Sequence, residues 1–173
     1  MNTEFCILRA ILGSSTTGTL RDLLGVAFQA FEACDGFSKN SETSAYILNL
    51  AGVIDNDTGK FEQALHFFKQ ALEIRENLNP VDIRHLCNSY NNVSEAYGGL
   101  CKFDESLAAI KRGLKLVEEN FENTPKWRDT KIMSLLTAVE VYRLHQEPDK
   151  SLRLLEKAST LITEHNEGDW DIE

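Results

Sequence analysis

The sequence is poor in the residues that interrupt helices and in the patterns that mark strands. It has three prolines in 173 residues, and a proline inside a helix costs about 3 kcal/mol. Alternation of β-branched and polar residues, the pattern of a half-buried strand, is nearly absent. Leu, Ala, Glu and Lys dominate instead. We therefore expect an all-α fold.

Cysteine is scarce and shows no pairing pattern. The four cysteines form no C-x-x-C motif and sit among apolar or small residues, at Cys6, Cys34, Cys87 and Cys101. This pattern is typical of free core thiols in a reducing compartment, and it argues against a disulfide scaffold or a zinc site. We expect no metal and no cofactor.

Long apolar runs are missing as well. No stretch approaches the ~20 apolar residues of a membrane-spanning helix. The apolar segment near the N-terminus is preceded by Glu4 and split by Arg9, so it makes a poor signal peptide. These features predict a cytoplasmic protein.

Positive charge is outweighed by negative charge. Lys and Arg number 18 against 27 Asp and Glu, which gives a net charge of −9. Such a field repels nucleic acid and anionic membranes, so neither is expected as a partner. A basic peptide or protein surface is easier to accommodate. Residues 164–173 carry five of the carboxylates and no Lys or Arg, which predicts a solvated acidic tail at 165–173.

Motifs for catalysis are absent. Gly13 and Gly18 have the spacing of a phosphate loop, but the Lys-Ser/Thr that should follow is missing. The four histidines lack metal-ligand spacing, and no H-E-x-x-H or G-x-S-x-G occurs. We expect a protein without enzymatic activity. A small-molecule or enzymatic site assembled by folding in a groove between helices remains the alternative.

Two stretches of the chain repeat each other at an offset of 42 residues. Phe61-Glu62-Gln63-Ala64-Leu65 matches Phe103-Asp104-Glu105-Ser106-Leu107. A weaker third copy follows at an offset of 45 residues, with Pro148 in place of the opening aromatic residue. Its matches are Tyr97 with Tyr142, Ser106 with Ser151, Leu107 with Leu152, Ile110 with Leu155, and Gly113 with Ala158.

Each copy predicts a pair of antiparallel helices. Ser41 is a suitable N-cap, Gly59 separates the two helices, and Asn79-Pro80 ends the first pair. Thr124-Pro125 is a restart signal. The predicted hairpins span 41–80, 81–123 and 124–164. Residues 1–40 are predicted to form helices, one of them over 20–34, that cap the stack or form a degenerate leading repeat.

Small and large residues alternate on the second helix of each pair. The small residues are expected where the two helices approach closely, at Ala64, Ala71, Ser106, Gly113, Ser151 and Ala158. The larger Phe68, Ile110 and Leu155 are expected to fill the gap to the adjacent hairpin. One hairpin cannot bury its apolar face alone, so stacking makes the core.

These features resemble the tetratricopeptide repeat family. The residues that carry the resemblance are Leu48 to Gly52, Gly59, Phe61, Ala64, Phe68, Ala71, Tyr90, Val93, Tyr97, Phe103, Ile110, Tyr142, Leu155 and Ala158. The usual period is about 34 residues, and the longer period here is similar to that of kinesin light chains and of the repeats in nucleotide-binding-domain (NB-ARC) receptors. The resemblance implies a right-handed α-solenoid of three to four stacked hairpins, and it departs from the pattern at Ser106, Gly113 and Pro148.

The resemblance also implies a binding groove lined by the first helix of each hairpin. Asn88, Asn91, Asn92 and Glu95 fall at offsets of 3, 4 and 7, which predicts one polar stripe. Asn49 precedes Asn91 by one repeat, and Arg84 and Glu140 are expected at the edges of the groove. These side chains would hold the backbone of an extended peptide, or they would only solvate and cap the helix.

Three hypotheses for function follow. The leading one is a scaffold or sensor module that binds a peptide or partner protein, with a preference for basic ligands. The second is the small-molecule or enzymatic site named above. The third is self-association into a homo-oligomer, because short stacks expose apolar end faces unless they are capped.

Overall fold

The computed structural model describes residues 40–122 and 124–168, which contain six α-helices and no strand. The helices are α1 (Glu42–Asp57), α2 (Phe61–Glu76), α3 (Ile83–Gly99), α4 (Phe103–Asn120), α5 (Pro125–Leu144) and α6 (Pro148–Gly168). The predicted helices in 1–40 and residues 169–173 of the predicted tail lie outside the described residues.

The helices pair in chain order. The chain divides into two compact units, Met1–Leu78 with α1 and α2, and Asn79–Glu173 with α3 to α6. Helix α1 packs against α2, α3 against α4, and α5 against α6. In the second unit α5 also contacts α3 and α4, so its two hairpins are stacked. The predicted class, an all-α solenoid of helical hairpins, is confirmed.

All three hairpins turn in the same way. Each turn contains one residue with a left-handed backbone, namely Gly59 (φ 75°), Cys101 (φ 57°) and Gln146 (φ 59°). These residues are separated by the same 42 and 45 positions as the repeats. The next residue donates its backbone N–H to the carbonyl five positions earlier, at 2.8–2.9 Å. Glycine adopts this conformation without a steric cost, whereas Cys101 and Gln146 are held in it by the turn.

Small residues bring the paired helices together, as predicted. A Cβ atom added to Gly52 in α1 would lie 2.5 Å from the ring of Phe68 in α2. Between α3 and α4, the Ser94 hydroxyl donates to the Ser106 carbonyl at 2.9 Å, and the Ser106 hydroxyl donates to the Ser94 carbonyl at 2.8 Å. A Cβ atom added to Gly113 would lie 3.2 Å from the Cβ atom of Tyr90. Serine at position 106 therefore serves to hydrogen-bond α4 to α3, and glycine at position 113 lets the two helices touch, where alanine is usual in the family.

The core of the second unit joins its two hairpins. It consists of Leu107, Ile110, Ala138, Val141 and Tyr142, with Leu114 and Leu154 packed against it. Ile110 packs against the adjacent hairpin as predicted. Phe68 is buried too, but the contact that the structure shows is with Gly52 of its own hairpin. The prediction for Leu155 is wrong, because this residue is 45% exposed. Leu155 occupies the position of Ile110 in the 45-residue register. Helix α5 covers that position on α4, and no described helix covers it on α6.

Two further expectations need correction. Helix α6 continues to Gly168, four residues beyond its predicted end, because residues 164–167 contain neither proline nor glycine. Cys101 is exposed rather than in the core, since it occupies a hairpin turn. Cys87 is a core thiol, and burial raises its pKa to about 12, with a smaller contribution from the carboxylate of Asp82.

Candidate peptide-binding face

The first helices of the two stacked hairpins, α3 and α5, begin at well-defined residues. The Asp82 carboxylate caps α3 by accepting the backbone N–H groups of Arg84 at 2.9 Å and His85 at 3.3 Å. Partial burial opposes ionisation, but the hydrogen bond from His85 and the charges of His85 and Arg84 hold the pKa of Asp82 below its usual value. Helix α5 begins at Pro125, whose missing N–H costs nothing in the first turn.

Asn91 lies between α3 and α5 and not on the surface. Its side chain is 4% exposed, and its Nδ2 donates to the hydroxyl of Ser134 at 3.0 Å. Its Oδ1 faces Gly113 of α4, at 3.3 Å from the position of a Cβ atom there. The predicted role of Asn91 in holding a peptide is therefore wrong, because a buried amide has no surface to offer a ligand. It fastens one repeat to the next instead.

A second polar contact joins the same two helices one turn further along. The hydroxyl of Thr137 donates to Glu95 Oε1 at 3.1 Å. Because Asn91 contacts Ser134 and Glu95 contacts Thr137, the contacts run in the same order along both helices, and α3 and α5 are parallel. This arrangement places the Glu95 carboxylate at the seam between them.

Five residues form the exposed surface beside this seam. On α3, Asn88 and Asn92 are half-buried and Glu95 is exposed. On α5, Met133 is 54% exposed and Leu136 is 38% exposed. One residue is a rotation of about 100° around a helix, so Asn92, which follows Asn91, and Met133, which precedes Ser134, point to the same side of the pair. We call Asn88, Asn92, Glu95, Met133 and Leu136 the α3–α5 face.

The charged residues expected at its edges are both engaged in pairs. Arg84 donates from Nη2 to the carboxylate of Asp82 at 3.1 Å, within the N-cap of α3. Glu140 is exposed on α5, one turn after Leu136, and accepts from Nε of Arg143 at 2.8 Å. The hydrogen bond and charge of Arg143 lower the pKa of Glu140. Glu140 therefore adds an ionised carboxylate at the edge of the α3–α5 face, whereas the side chain of Arg84 is bound to Asp82, the N-cap residue of α3.

Asn49 lies in the other unit, on α1, where it is half-buried. Tyr46, one turn before it, is 58% exposed. In the 42-residue register Asn49 corresponds to the buried Asn91, and Tyr46 corresponds to Asn88. At the exposed one of these two positions, α1 therefore presents a tyrosine ring where α3 presents an amide.

The family resemblance places Met133 at a groove position, but the sequence did not identify either Met133 or Leu136 as part of a binding surface. Their spacing is that of a buried helix face, and only the position of α5 beside α3 shows that they point outward. The face presents amides, carboxylates, a thioether and an alkyl chain. In the part of the chain that the structure describes, no group of three or more His, Cys, Asp or Glu is arranged to hold a metal ion. No helix within the same residues is long and apolar enough to cross a membrane.

Comparison with known proteins supports a repeat fold. A family model for the tetratricopeptide repeat matches residues 44–82, which contain most of α1 and all of α2. The structure is similar to that of BtubC (BKLC) from P. vanneervenii, with a TM-score of 0.68 and 18% identity, covering 95% of this chain and 72% of that chain.

A second similar structure is a putative kinesin light chain from Podosopora anserina with nearly identical TPR-like repeats. Its TM-score is 0.62 at 11% identity, covering 84% of this chain and 66% of that chain. A variant of the same protein gives a TM-score of 0.65 at 11% identity, with coverages of 85% and 67%. At these identities the likeness establishes the fold alone. No curated protein matches the sequence.

Proposed function

We propose that the α3–α5 face binds an extended segment of a partner protein. The proposal starts from the match of residues 44–82 to the tetratricopeptide repeat, because repeats of this kind generally mediate protein–protein interaction. The observation that supports this proposal is the pairing of amides with exposed apolar side chains. Asn92 on α3 and Met133 on α5 lie on the same side of the helix pair, and Met133 is 54% exposed.

Each half of the face suits one part of an extended peptide. The amides of Asn88 and Asn92 offer both donors and acceptors, which match the alternating N–H and C=O groups of a peptide backbone. Met133 and Leu136 offer a contact for one apolar side chain, and methionine adapts its shape to different ligands. A helix face with this composition is suited to binding rather than to catalysis.

The charge of the face sets a preference for basic ligands. Glu95 borders the apolar pair, and the chain as a whole has a net charge of −9, whereas the charge of Glu140 is balanced by Arg143. Complementary charge raises the rate of encounter and disfavours acidic partners. The preferred ligand is therefore a segment with an apolar residue close to a Lys or Arg.

Selection from a random peptide library tests this proposal and does not require the partner to be identified first. We expect the selected peptides to share an apolar residue beside a basic one. The variant Asn92→Ala/Met133→Ser should weaken their binding about tenfold or more, since each contact contributes on the order of 1 kcal/mol. Leu152→Ser on α6 is the matched control, because Leu152 is also exposed, at 57%, and lies outside the face. Selected peptides that bind the double variant as tightly as the wild type would exclude the α3–α5 face.

Self-association is a second candidate function, and it rests on α6. Leu152, Leu155 and Ile162 are 57%, 45% and 41% exposed. In the 45-residue register they correspond to Leu107, Ile110 and Val117, which are all buried in the second unit. The three exposed residues of α6 thus form the same kind of apolar face that α4 buries when the hairpins stack. In a dimer, the α6 face of a second copy of the chain would cover them.

Sedimentation equilibrium distinguishes this candidate. If α6 mediates self-association, the wild type should form a dimer at micromolar concentrations and Leu152→Ser/Leu155→Ser should be a monomer. A wild type that stays monomeric over this range would rule out the second candidate and leave the first untouched.

A further inference from the structure

The geometry points to a binding site for an amphipathic anion, a molecule with one apolar chain and one anionic group, in a cavity between α4, α5 and α6. The cavity has a volume of ≈ 330 Å³. Each of the three helices contributes part of its wall, and all three belong to the second unit. Ligand pockets in proteins range from about 300 to 1,000 Å³, so the volume suits a small ligand.

The inner wall of the cavity is apolar. Val117 and Leu135 line it and are themselves 1% and 4% exposed. Leu114 and Leu154 also line it, and both pack against the core cluster of the unit. The cavity is therefore an extension of the hydrophobic core that opens to solvent, and an alkyl chain is stabilised there because its apolar surface leaves water.

Charged groups stand at the rim of the cavity, and they are positive on balance. Lys131 on α5 and Lys157 on α6 line it together with the single carboxylate of Glu118. The Lys131 ammonium lies 4.1 Å from the centre of the Phe121 ring, a cation–π contact that holds it in place. Among the described residues, neither lysine forms an ion pair.

This local charge opposes that of the whole chain. A net charge of −9 repels anions in general, so an anion binds here only through the two ammonium groups at short range. The apolar wall and the cationic rim together select one chemistry: the chain of the ligand enters the cavity, and its carboxylate or equivalent group stays at the mouth beside Lys131 and Lys157. A neutral apolar molecule would leave both ammonium groups unused.

The cavity is independent of the α3–α5 face. Lys131 and Leu135 precede and follow Met133 by two residues on α5, which places them about 160° around the helix from it. A ligand in the cavity therefore approaches the opposite side of α5 from a peptide on the face. The two sites can be tested separately.

Calorimetric titration with octanoate at low ionic strength tests the proposal, with 1-octanol as the neutral analogue of the same chain length. We expect octanoate to bind saturably at one site per chain and 1-octanol to bind at least about fivefold more weakly. In Lys131→Met/Lys157→Met, octanoate binding should weaken about tenfold while 1-octanol binding stays unchanged. These changes lie at the surface and leave the core intact.

Two further variants sharpen the result. Glu118→Gln removes the opposing carboxylate and should strengthen octanoate binding about twofold. Leu154→Trp should fill the cavity and abolish the binding of both probes, with circular dichroism confirming the fold. Lys126→Met is the matched control, since Lys126 is exposed on α5 and does not line the cavity. The proposal is overturned if the wild type shows no saturable octanoate binding, if 1-octanol binds equally well, or if the double lysine variant binds octanoate as the wild type does.

Discussion

Alanine at position 52 should destabilise the first hairpin, although alanine forms helices better than glycine does. An ideal Cβ atom at Gly52 lies 2.5 Å from Cδ1 and Cε1 of Phe68 and 3.1 Å from its Cγ. Carbon atoms in contact prefer a separation of about 3.5–4.0 Å. Phe68 is 1% exposed, so its ring cannot move aside into solvent. The two helices must separate or the ring must leave its preferred rotamer.

The expected magnitude is the difference between two opposing contributions. Overpacking a close-packed core costs about 1–3 kcal/mol. Replacing glycine by alanine within a helix gains about 1 kcal/mol. The difference lowers the free energy of unfolding of the first hairpin by up to about 2 kcal/mol in Gly52→Ala. The middle of that range, about 1 kcal/mol, corresponds to roughly fivefold faster exchange of its protected amides.

Hydrogen exchange with mass spectrometry measures this effect in peptides from α1 and α2. Gly98→Ala on α3 is the matched control, because a Cβ atom there would meet other atoms only at 3.8 Å and should leave stability unchanged or raise it. Gly52→Ala/Phe68→Leu should lose less than the sum of the two single changes, since the smaller side chain relieves the clash. If Gly52→Ala slows exchange as Gly98→Ala does, the close approach of α1 and α2 is refuted.

Three other features of the chain lead to measurable outcomes. In the native protein at pH 8, iodoacetamide should label Cys101, which is exposed, and spare Cys87, which is buried and whose pKa of about 12 leaves almost no thiolate. Peptide mass spectrometry measures the labelling of each cysteine, and equal labelling would contradict the burial of Cys87. Asp82→Asn should lower the melting temperature at pH 7 but not at pH 2. The lowered pKa of Asp82 means that its charge stabilises the fold fully above the unfolded pKa, and that this contribution is lost as pH falls through the folded value. A melting difference that persists at pH 2 would assign the effect to something other than charge. In urea unfolding, Gly59→Ala should lower stability by about 1 kcal/mol, because open space surrounds Gly59 and only its left-handed backbone opposes a side chain. Gln146→Gly should leave stability unchanged or raise it, since glycine adopts the same backbone without strain. A destabilised Gln146→Gly would contradict the shared turn geometry.

The repeats could be predicted from the sequence because local and tertiary signals agree. The 42- and 45-residue offsets derived from matching side chains also relate the three left-handed residues of the turns, although only one of them is a glycine. Ser106 and Ser151 occupy equivalent positions in this register, and both donate their hydroxyl to a carbonyl twelve residues earlier, in Ser94 and Val139. The arrangement of residues along each helix and the packing of that helix against its partner follow the same repeat. The sequence repeat therefore predicts both the helices and their pairing.

The candidate face was harder to predict because it depends on the neighbour of each helix. Helical spacing placed Asn91 and Asn92 in one polar stripe, yet a rotation of 100° separates an amide buried against Ser134 from one at the surface. The sequence of α3 alone does not indicate which edge α5 covers. Leu155 illustrates the same point, since its pattern is that of a buried residue and its exposure depends on what stacks against α6.

The methyl carbon of Met133 offers the most direct test of the proposed binding face. The chain has two methionines, Met1 and Met133, so a protein labelled with ¹³C-methyl methionine should give two methyl signals, which Met133→Leu assigns. The ligand is a peptide selected from the random library against the wild type. If partners bind on the α3–α5 face, saturation with this peptide should shift the Met133 signal, and Asn92→Ala should raise the peptide concentration needed for that shift. A Met133 signal that stays in place while the peptide is bound would contradict the proposed site.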